Sequence, residues 1–444
     1  MNPRLERAVQ ELYSFIDYEA LRKPPQYNTT EYDIDRFREG LSSRGNPQES
    51  YPSILIAGSK GKGSTAAMLE SILREAGLRT GLYTSPHLVS IRERIRIAGR
   101  CVEPEHLAGK LKELVEIARS RGDASNFRTV FEILTGAALE IFAEEEIEIA
   151  VVEVGMGGRL DTTNALEPII SAITRIGLEH THALGNTIEE IAREKAGIIR
   201  AGRPLVIGAQ EPAASKVIAE RGRELGAEPI RLYGRDFRAS DIRTSPAGTE
   251  FLLELPGGKK IEAQIPLCGL FQGENAAAAT VTALEYAGLD ISADHIKTGL
   301  EKTRWPGRMQ SVSQNPAVII DGAHSPAAFA GIVQTLDVLG PGAEPVWLFA
   351  ANCDKDIDGM LRIIRGNSGR IVLTSFDWPR AASTEELRDI ADGMGFKIWL
   401  DDHSSRALET ARELAGPDGT VMAAGSLYLA GELLRNLGIS PCGD

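Results

Sequence analysis

Seven residues, Gly58-Ser59-Lys60-Gly61-Lys62-Gly63-Ser64, combine what a phosphate site needs: glycines, cations and a hydroxyl. Glycines let backbone N–H groups approach a polyphosphate closely. Lys62 supplies a point charge for the β- and γ-phosphates, and the Ser64 or Thr65 hydroxyl can reach a magnesium ion. The spacing is not the literal Walker pattern, because the first gap is two residues shorter and Gly63 intervenes before Ser64. A tight turn without a ligand is the plainer reading. Glycines, lysines and hydroxyls packed together directly after a strand speak against it.

Other candidates stand further along. Glu153 ends an apolar strand and precedes Gly155-Met156-Gly157-Gly158-Arg159-Leu160-Asp161. A carboxylate at a strand's C-terminal end faces the ligand crevice of an α/β sheet and suits magnesium. A turn-capping role is an equal alternative. His180 and His182 follow another strand, and His324 follows a further one in Asp321-Gly322-Ala323-His324. A lone histidine in such a place is more often structural or solvated. By spacing alone, Lys195 reads as an exposed helix lysine.

The elements that must position these residues are legible as apolar runs. Ser53–Ala57 is a short run ended by glycine, as a buried parallel strand should be. After the glycine loop, Leu69, Ile72, Leu73 and Ala76 fall on one helix face, with Gly77 as the stop. Strands are expected at 149–154, 169–174 and 204–207, a helix at about 187–196, and a β-rich excursion over 229–266. An alanine-rich helix follows near 274–287. A boundary falls at Trp305-Pro306-Gly307-Arg308. Beyond it, strands at 317–320, 346–349, 371–373 and 421–424 alternate with helices, one opened by a capping box of Ser383 and Glu386. The expected fold is α/β: a P-loop ATP-binding domain with a mainly parallel sheet over residues 1–303, and a smaller Rossmann-like domain over 304–444.

Composition narrows the class. The net charge of −13 repels a phosphate backbone, so nucleic-acid binding is not expected. Cys101, Cys268, Cys353 and Cys442 are far apart and form no C-x-x-C pair. That spacing fits a reducing compartment and argues against a disulfide framework or a structural zinc site. The polar N-terminus lacks a signal-peptide core, and no stretch of about 18 apolar residues suggests a membrane helix. A cytoplasmic monomer is the expectation.

Taken together, the motifs resemble the folylpolyglutamate synthase/dihydrofolate synthase family, within the Mur ligase group. The matching stretches are GSKGKGS (58–64), TSPHL with RERI (84–88, 92–95), FEILT (131–135), EVGMGGRLDTTN (153–164) and EKAGII (194–199). FQGENAA (271–277), WPGR (305–308), DGAH (321–324) and GSLYLAG (425–431) continue the series in the family's order. The resemblance implies an ATP-dependent ligase that adds L-glutamate to pteroate or folate, with ATP and two magnesium ions. Gly58 to Thr65, Asn275, Arg308 and Asp321 then hold the nucleotide. Ser64, Ser85, Glu153 and His180 hold metal, joined by Lys195 as a carbamate, an anionic oxygen donor made from a cation. Lys62, Lys195, His180 and His324 are the catalytic set. Ser85, Pro86, His87, Arg94 and Asp161 lie on the pterin side, and His324, Ser325 and Ser426 near the incoming glutamate.

The chain departs from the family pattern at four places. Ser59 and Lys60 replace Thr and Asn, Glu179 stands for the usual aspartate, and Ser325 for the asparagine of DGAHN. Ser325 bears on which amino acid is accepted. Other readings are the same chemistry on a non-folate acid, a P-loop switch NTPase, and a non-catalytic nucleotide binder. The switch lacks its Asn-Lys-x-Asp signature here, and the retained Lys62, Glu153, His180 and Lys195 speak against the binder.

Overall fold

The computed structural model describes residues 2–21, 27–121, 126–340 and 344–443. In chain order the first strands are β1 (Ser53–Ala57), β2 (Thr80–Tyr83), β3 (Ile95–Ile97), β4 (Arg100–Cys101), β5 (Ile149–Glu153), β6 (Ile170–Ile173), β7 (Leu205–Ile207) and β8 (Ile230–Leu232). They form one sheet in the order β4-β3-β2-β5-β1-β6-β7-β8, parallel except at the β3 and β4 edge. β1 is buried throughout, with Leu55 and Ala57 packed into one core and Ile54 and Ile56 into another. A strand covered on both faces requires the unbroken apolar run seen in the sequence.

The 229–266 excursion contributes β8 to that sheet and then β9 (Arg238–Ser245), β10 (Gly248–Glu254) and β11 (Lys260–Ile265), a separate antiparallel sheet. β11 alternates exposed and buried residues, so only one of its faces packs on the alanine-rich helix side. That helix spans Phe271–Leu284.

The second unit contains β12 (Gln310–Gln314), β13 (Ala317–Ile320), β14 (Val346–Phe349), β15 (Arg370–Leu373), β16 (Lys397–Leu400) and β17 (Thr420–Ala424), in the order β12-β13-β17-β14-β15-β16. Only β12 runs antiparallel to its neighbour. Its core is built around Phe329, Trp347 and Phe349 and is separate from the first two. The mixed α/β architecture with a Rossmann-like second unit is the one expected. The Ser383/Glu386 capping box is present at the helix Thr384–Ala391. Among the described residues, no helix is long and apolar enough to cross a membrane.

One expectation fails. Cys101 and Cys442 are joined by a disulfide across 341 residues of sequence. Sequence spacing could not show it, because the pairing is made by the fold bringing the tail of the second unit to the β3–β4 edge of the first. The cysteine spacing therefore gives no argument for a reducing compartment. Two contacts accompany the bridge: Arg96 donates through Nη2 to the Pro441 carbonyl at 3.3 Å, and Arg435 to the Val89 carbonyl at 3.3 Å. Arg96 also lies 5.8 Å from the Trp305 ring centroid and pairs with Cys101 in the β3–β4 register. Closing so long a loop stabilises chiefly by restricting the unfolded chain, by about 2–4 kcal/mol. Cys442→Ser, or reduction of the native protein, should shift the denaturant midpoint down accordingly. Identical unfolding curves with and without a dithiol reductant would rule the stabilising bridge out.

The strand order also decides where chemistry can occur. β2, β5, β1 and β6 are neighbours, so the loops after them lie side by side at one sheet edge. In the second unit β13, β17 and β14 are neighbours, and their following loops do the same. Ligands bind at such carboxyl ends.

Candidate active site

The glycine loop joins β1 to the helix Lys62–Glu75. Gly61 caps that helix with φ 84°, and a Cβ there would sit 2.3 Å from the Asn275 amide oxygen. Gly58 has φ 153°, and its Cβ would meet the Thr174 hydroxyl at 1.9 Å. Both positions therefore require glycine. The Ser59 and Lys60 N–H groups donate to the Arg175 carbonyl at 2.9 and 3.0 Å, and the Ser59 hydroxyl donates to Gly177 at 3.0 Å. These two residues thus brace the loop against the one after β6. The first turn of the helix, at Lys62, Gly63 and Ser64, presents N–H groups that lack intrahelical partners and the positive end of the dipole, whereas the Thr65 N–H already donates to the Gly61 carbonyl at 2.8 Å. Ser64 is buried, and the Thr65 hydroxyl is buried with no hydrogen-bond partner among the described residues.

Glu153, at the end of β5, is buried beside this turn. Its carboxylate lies 3.9 Å from Lys62 Nζ and accepts the Ser85 N–H at 3.3 Å. Burial pushes its pKa up, against the pull of Lys62. Ser85 follows β2 and is joined to Pro86 by a cis peptide bond. Lys195 ends the helix Ile188–Lys195 and is not exposed: it is buried at 4% and donates through Nζ to the Gly58 carbonyl at 2.8 Å. Burial, and next Lys62, push its pKa down to about 7. His180, after β6, takes a left-handed conformation with φ 51°, and burial pushes its pKa down to about 3. The His182 side chain lies outside the described residues.

From the second unit, His324 follows β13. Its Nδ1 lies 3.0 Å from the Gly322 carbonyl and its Nε2 3.0 Å from Glu179. Glu179 also lies 3.4 Å from Lys60 Nζ. Burial raises the Glu179 pKa, but Lys60 and His324 outweigh it and hold the carboxyl well below its usual range. Asp321 accepts the Met309 and Ala323 N–H groups at 2.8 and 2.7 Å. Burial pushes the Asp321 pKa up, against the pull of Arg308, whose charge also favours ionised Glu153; the Arg308 guanidinium itself donates to the Gly307 carbonyl at 2.9 Å. The buried Ser325 hydroxyl has no hydrogen-bond partner among the described residues, whereas Ser426 caps the helix Leu427–Asn436 by accepting the Tyr428 N–H at 3.1 Å. Asn275 donates to Gln272 at 3.0 Å.

The expected pterin-side residues are close by, but two are already engaged. The Arg94 guanidinium bonds both Glu19 oxygens, at 2.9 and 2.7 Å, and His87 Nδ1 at 2.9 Å. Asp161 accepts from Met156 at 2.8 Å and from the Thr163 N–H at 3.0 Å, within its own loop. Both side chains shape that wall rather than offering free groups. A cavity of about 360 Å³ lies elsewhere, beside the Cys101–Cys442 bridge, and shares none of these residues.

Two Mur ligase domains match the chain: the middle domain over residues 56–283 and the glutamate ligase domain over 307–427. A dihydrofolate synthase/folylpolyglutamate synthase of Bacillus subtilis is 32% identical over 414 residues, covering 91% of this chain and 94% of that protein. The chain belongs to this branch of the Mur ligase family. A probable bifunctional folylpolyglutamate synthase/dihydropteroate synthase of Haloferax volcanii is 35% identical over 417 residues, and there the match covers 90% of this chain but only 49% of the relative. Among solved structures, Mycobacterium tuberculosis folylpolyglutamate synthase complexed with ADP superposes with a TM-score of 0.90 at 30% identity, covering 99% of both chains.

Within this Mur ligase the second unit adds one residue that the motifs did not single out. Lys355 follows β14, and its positive charge disfavours protonation of Lys60, His180 and His324, which places it on the same cleft. The signal was available: Asp354-Lys355-Asp356 stands in the loop that follows the carboxyl end of β14, where ligand-facing residues gather. Lys60, Lys62, Lys195, Arg308 and Lys355 make the cleft rich in cations around Glu153 and Glu179. That arrangement suits an anionic polyphosphate and a carboxylate held together. Among the described residues no three His, Cys, Asp or Glu side chains converge as a ready metal cage. Magnesium does not need one, since it binds through one or two carboxylates plus substrate phosphates. Glu153 and the orphaned Thr65 hydroxyl near the glycine cradle fit that requirement.

Proposed function

We propose that this ligase joins L-glutamate to dihydropteroate, to tetrahydrofolate, or to both, using ATP. The observation that carries the reading is the facing of two sets of strand-end loops: the glycine loop and Glu153 from one sheet, His324 and Lys355 from the other. Names of the relatives supply the substrate class. Residues 1–303 and 304–444 act as two domains that close on the substrates.

A carboxylate is a poor acyl donor because its leaving group is oxide. Attack of its oxygen on the γ-phosphorus breaks the bond to ADP and forms an acyl phosphate. The glutamate amine then attacks the acyl carbon, and phosphate leaves with the bonding electrons. Lys62 and the first-turn N–H groups hold the β- and γ-phosphates, and Arg308 reaches them from the second domain. Glu153, a first-turn hydroxyl of Ser64 or Thr65, Ser85 and His180 would hold magnesium, which would supply positive charge beside the transferred phosphoryl group. Lys195, as a carbamate, adds an anionic donor to that set. Lys355 and His324 orient the incoming glutamate. Closure excludes the water that would hydrolyse the acyl phosphate.

The test is phosphate release with ATP and magnesium. Dihydropteroate, tetrahydrofolate and a folate-free blank are each assayed with and without glutamate. Release that depends on both acid and glutamate is expected. Hydrolysis indifferent to either would point to a switch-type NTPase instead.

A further inference from the structure

Lys60 and Glu179 are far apart in sequence and partners in space. Glu179 Oε1 is the meeting point. It lies 3.0 Å from His324 Nε2, 3.4 Å from Lys60 Nζ and 4.0 Å from His180 Nε2. We propose that Glu179 is a positioning residue for the amine-accepting step, holding the His324 ring across the cleft while Lys60 anchors its carboxylate. The proposal rests on the ligase reading above.

The geometry argues for positioning rather than incidental contact. Each ring nitrogen of His324 faces an acceptor, Nδ1 the Gly322 carbonyl of its own loop and Nε2 the Glu179 carboxylate of the opposite domain; the neutral ring donates to one of them and the imidazolium to both. Turning the ring about its Cβ–Cγ bond would carry its nitrogens away from these acceptors. The Glu179 side chain is only 11% exposed, so water competes weakly for these contacts. Its neighbour Leu178 is 58% exposed, which shows how sharply the chain turns to present Glu179 inward. His180 takes a left-handed conformation at the next residue, a state that side-chain-bearing residues adopt infrequently. The turn lets Glu179 and His180 face the same cleft.

Side-chain length matters as well. Aspartate is shorter by one methylene, about 1.5 Å. It would reach Lys60 and His324 together only if the loop moved. Lys60, in turn, has its N–H pinned to Arg175, so its position is set by the glycine loop. The carboxylate therefore links the nucleotide loop of one domain to the DGAH loop of the other. Lys60 and Glu179 work as one unit.

A double-mutant cycle of Glu179→Ala and His324→Ala tests this, read by kcat and KM for glutamate and for ATP. Glu179→Ala should lower kcat/KM for glutamate roughly ten- to a hundredfold, as loss of a residue that orients a functional ligand does. KM for ATP should stay within about twofold, and the double variant should be no worse than His324→Ala alone. Glu179→Gln, which keeps the size and an acceptor oxygen, should retain more activity than Glu179→Ala. Thermal midpoints report whether each variant folds. Losses that multiply in the double variant, or a change confined to the ATP KM, would overturn the proposal. If the wild-type protein shows no glutamate-dependent turnover, the ligase reading fails first and the proposal goes with it. If wild-type turnover needs glutamate and the losses multiply, only the Glu179 role fails.

Discussion

Lys62→Ala should lower acid- and glutamate-dependent phosphate release by roughly 10²–10³-fold, the usual cost of removing one preorganised group that meets developing charge. Nearby cations cannot take over. Lys60 is paired with Glu179, and Lys195 donates to the Gly58 carbonyl. Lys62 alone among the three lysines sits opposite Glu153, at 3.9 Å, on the first turn of the phosphate helix. Lys62→Arg should recover part of the loss, because the charge survives while the geometry changes. The measurement is steady-state phosphate release at saturating magnesium. Near-normal turnover by Lys62→Ala would remove Lys62 from the phosphate site.

Lys195 should give the second large effect. Its amine is buried, surrounded by other cations, and held down to about 7, so a substantial neutral fraction exists at neutral pH. A neutral amine adds CO2 to give a carbamate and a proton, turning a costly buried cation into an anion welcome among lysines. Lys195→Arg keeps a cation that cannot be carbamylated, and its turnover should fall about a hundredfold or more. Lys195→Ala should fall as far but regain part of its activity with small carboxylates, which can occupy the space left. Carbon-13 spectra with labelled bicarbonate should show one carbamate signal that disappears in Lys195→Arg. An unchanged spectrum in that variant, or full activity, would exclude the carbamate role.

How much of this was legible depends on the physical signal each feature leaves. β1, β5 and β13 are short apolar runs because both their faces are buried, and such runs are plain in sequence. β2 is harder to see. Its Gly81 breaks the apolar run, since a Cβ there would stand 2.6 Å from Ile147 Cδ1, and only four residues carry the strand. The β3–β4 edge and β16 are short or half-exposed and leave little pattern. For Lys195, spacing in its local motif suggested exposure. Yet Ile188, Ile191, Ala192 and Lys195 fall at i, i+3, i+4 and i+7, and the last three are buried together. The lysine lies on the apolar face of its helix, which is itself a sign that something unusual is required of it. The Glu179 contacts and the disulfide left no comparable trace, because each joins segments that only the tertiary fold brings together.

The disulfide has a mechanical consequence. The second domain is attached to the first at two points, the linker around Trp305 and the tail at Cys442. Both converge on one short edge: Arg96 lies against the Trp305 ring and bonds the Pro441 carbonyl, and it is cross-strand from Cys101. A body held by a single linker can swing about any axis. Held at two neighbouring points, it keeps a pivot at the β3–β4 edge and loses the freedom to translate away from it. Any opening of the cleft would then be a rotation about that edge, like a book on its spine. The glycine loop and His324 would always meet again in the same register.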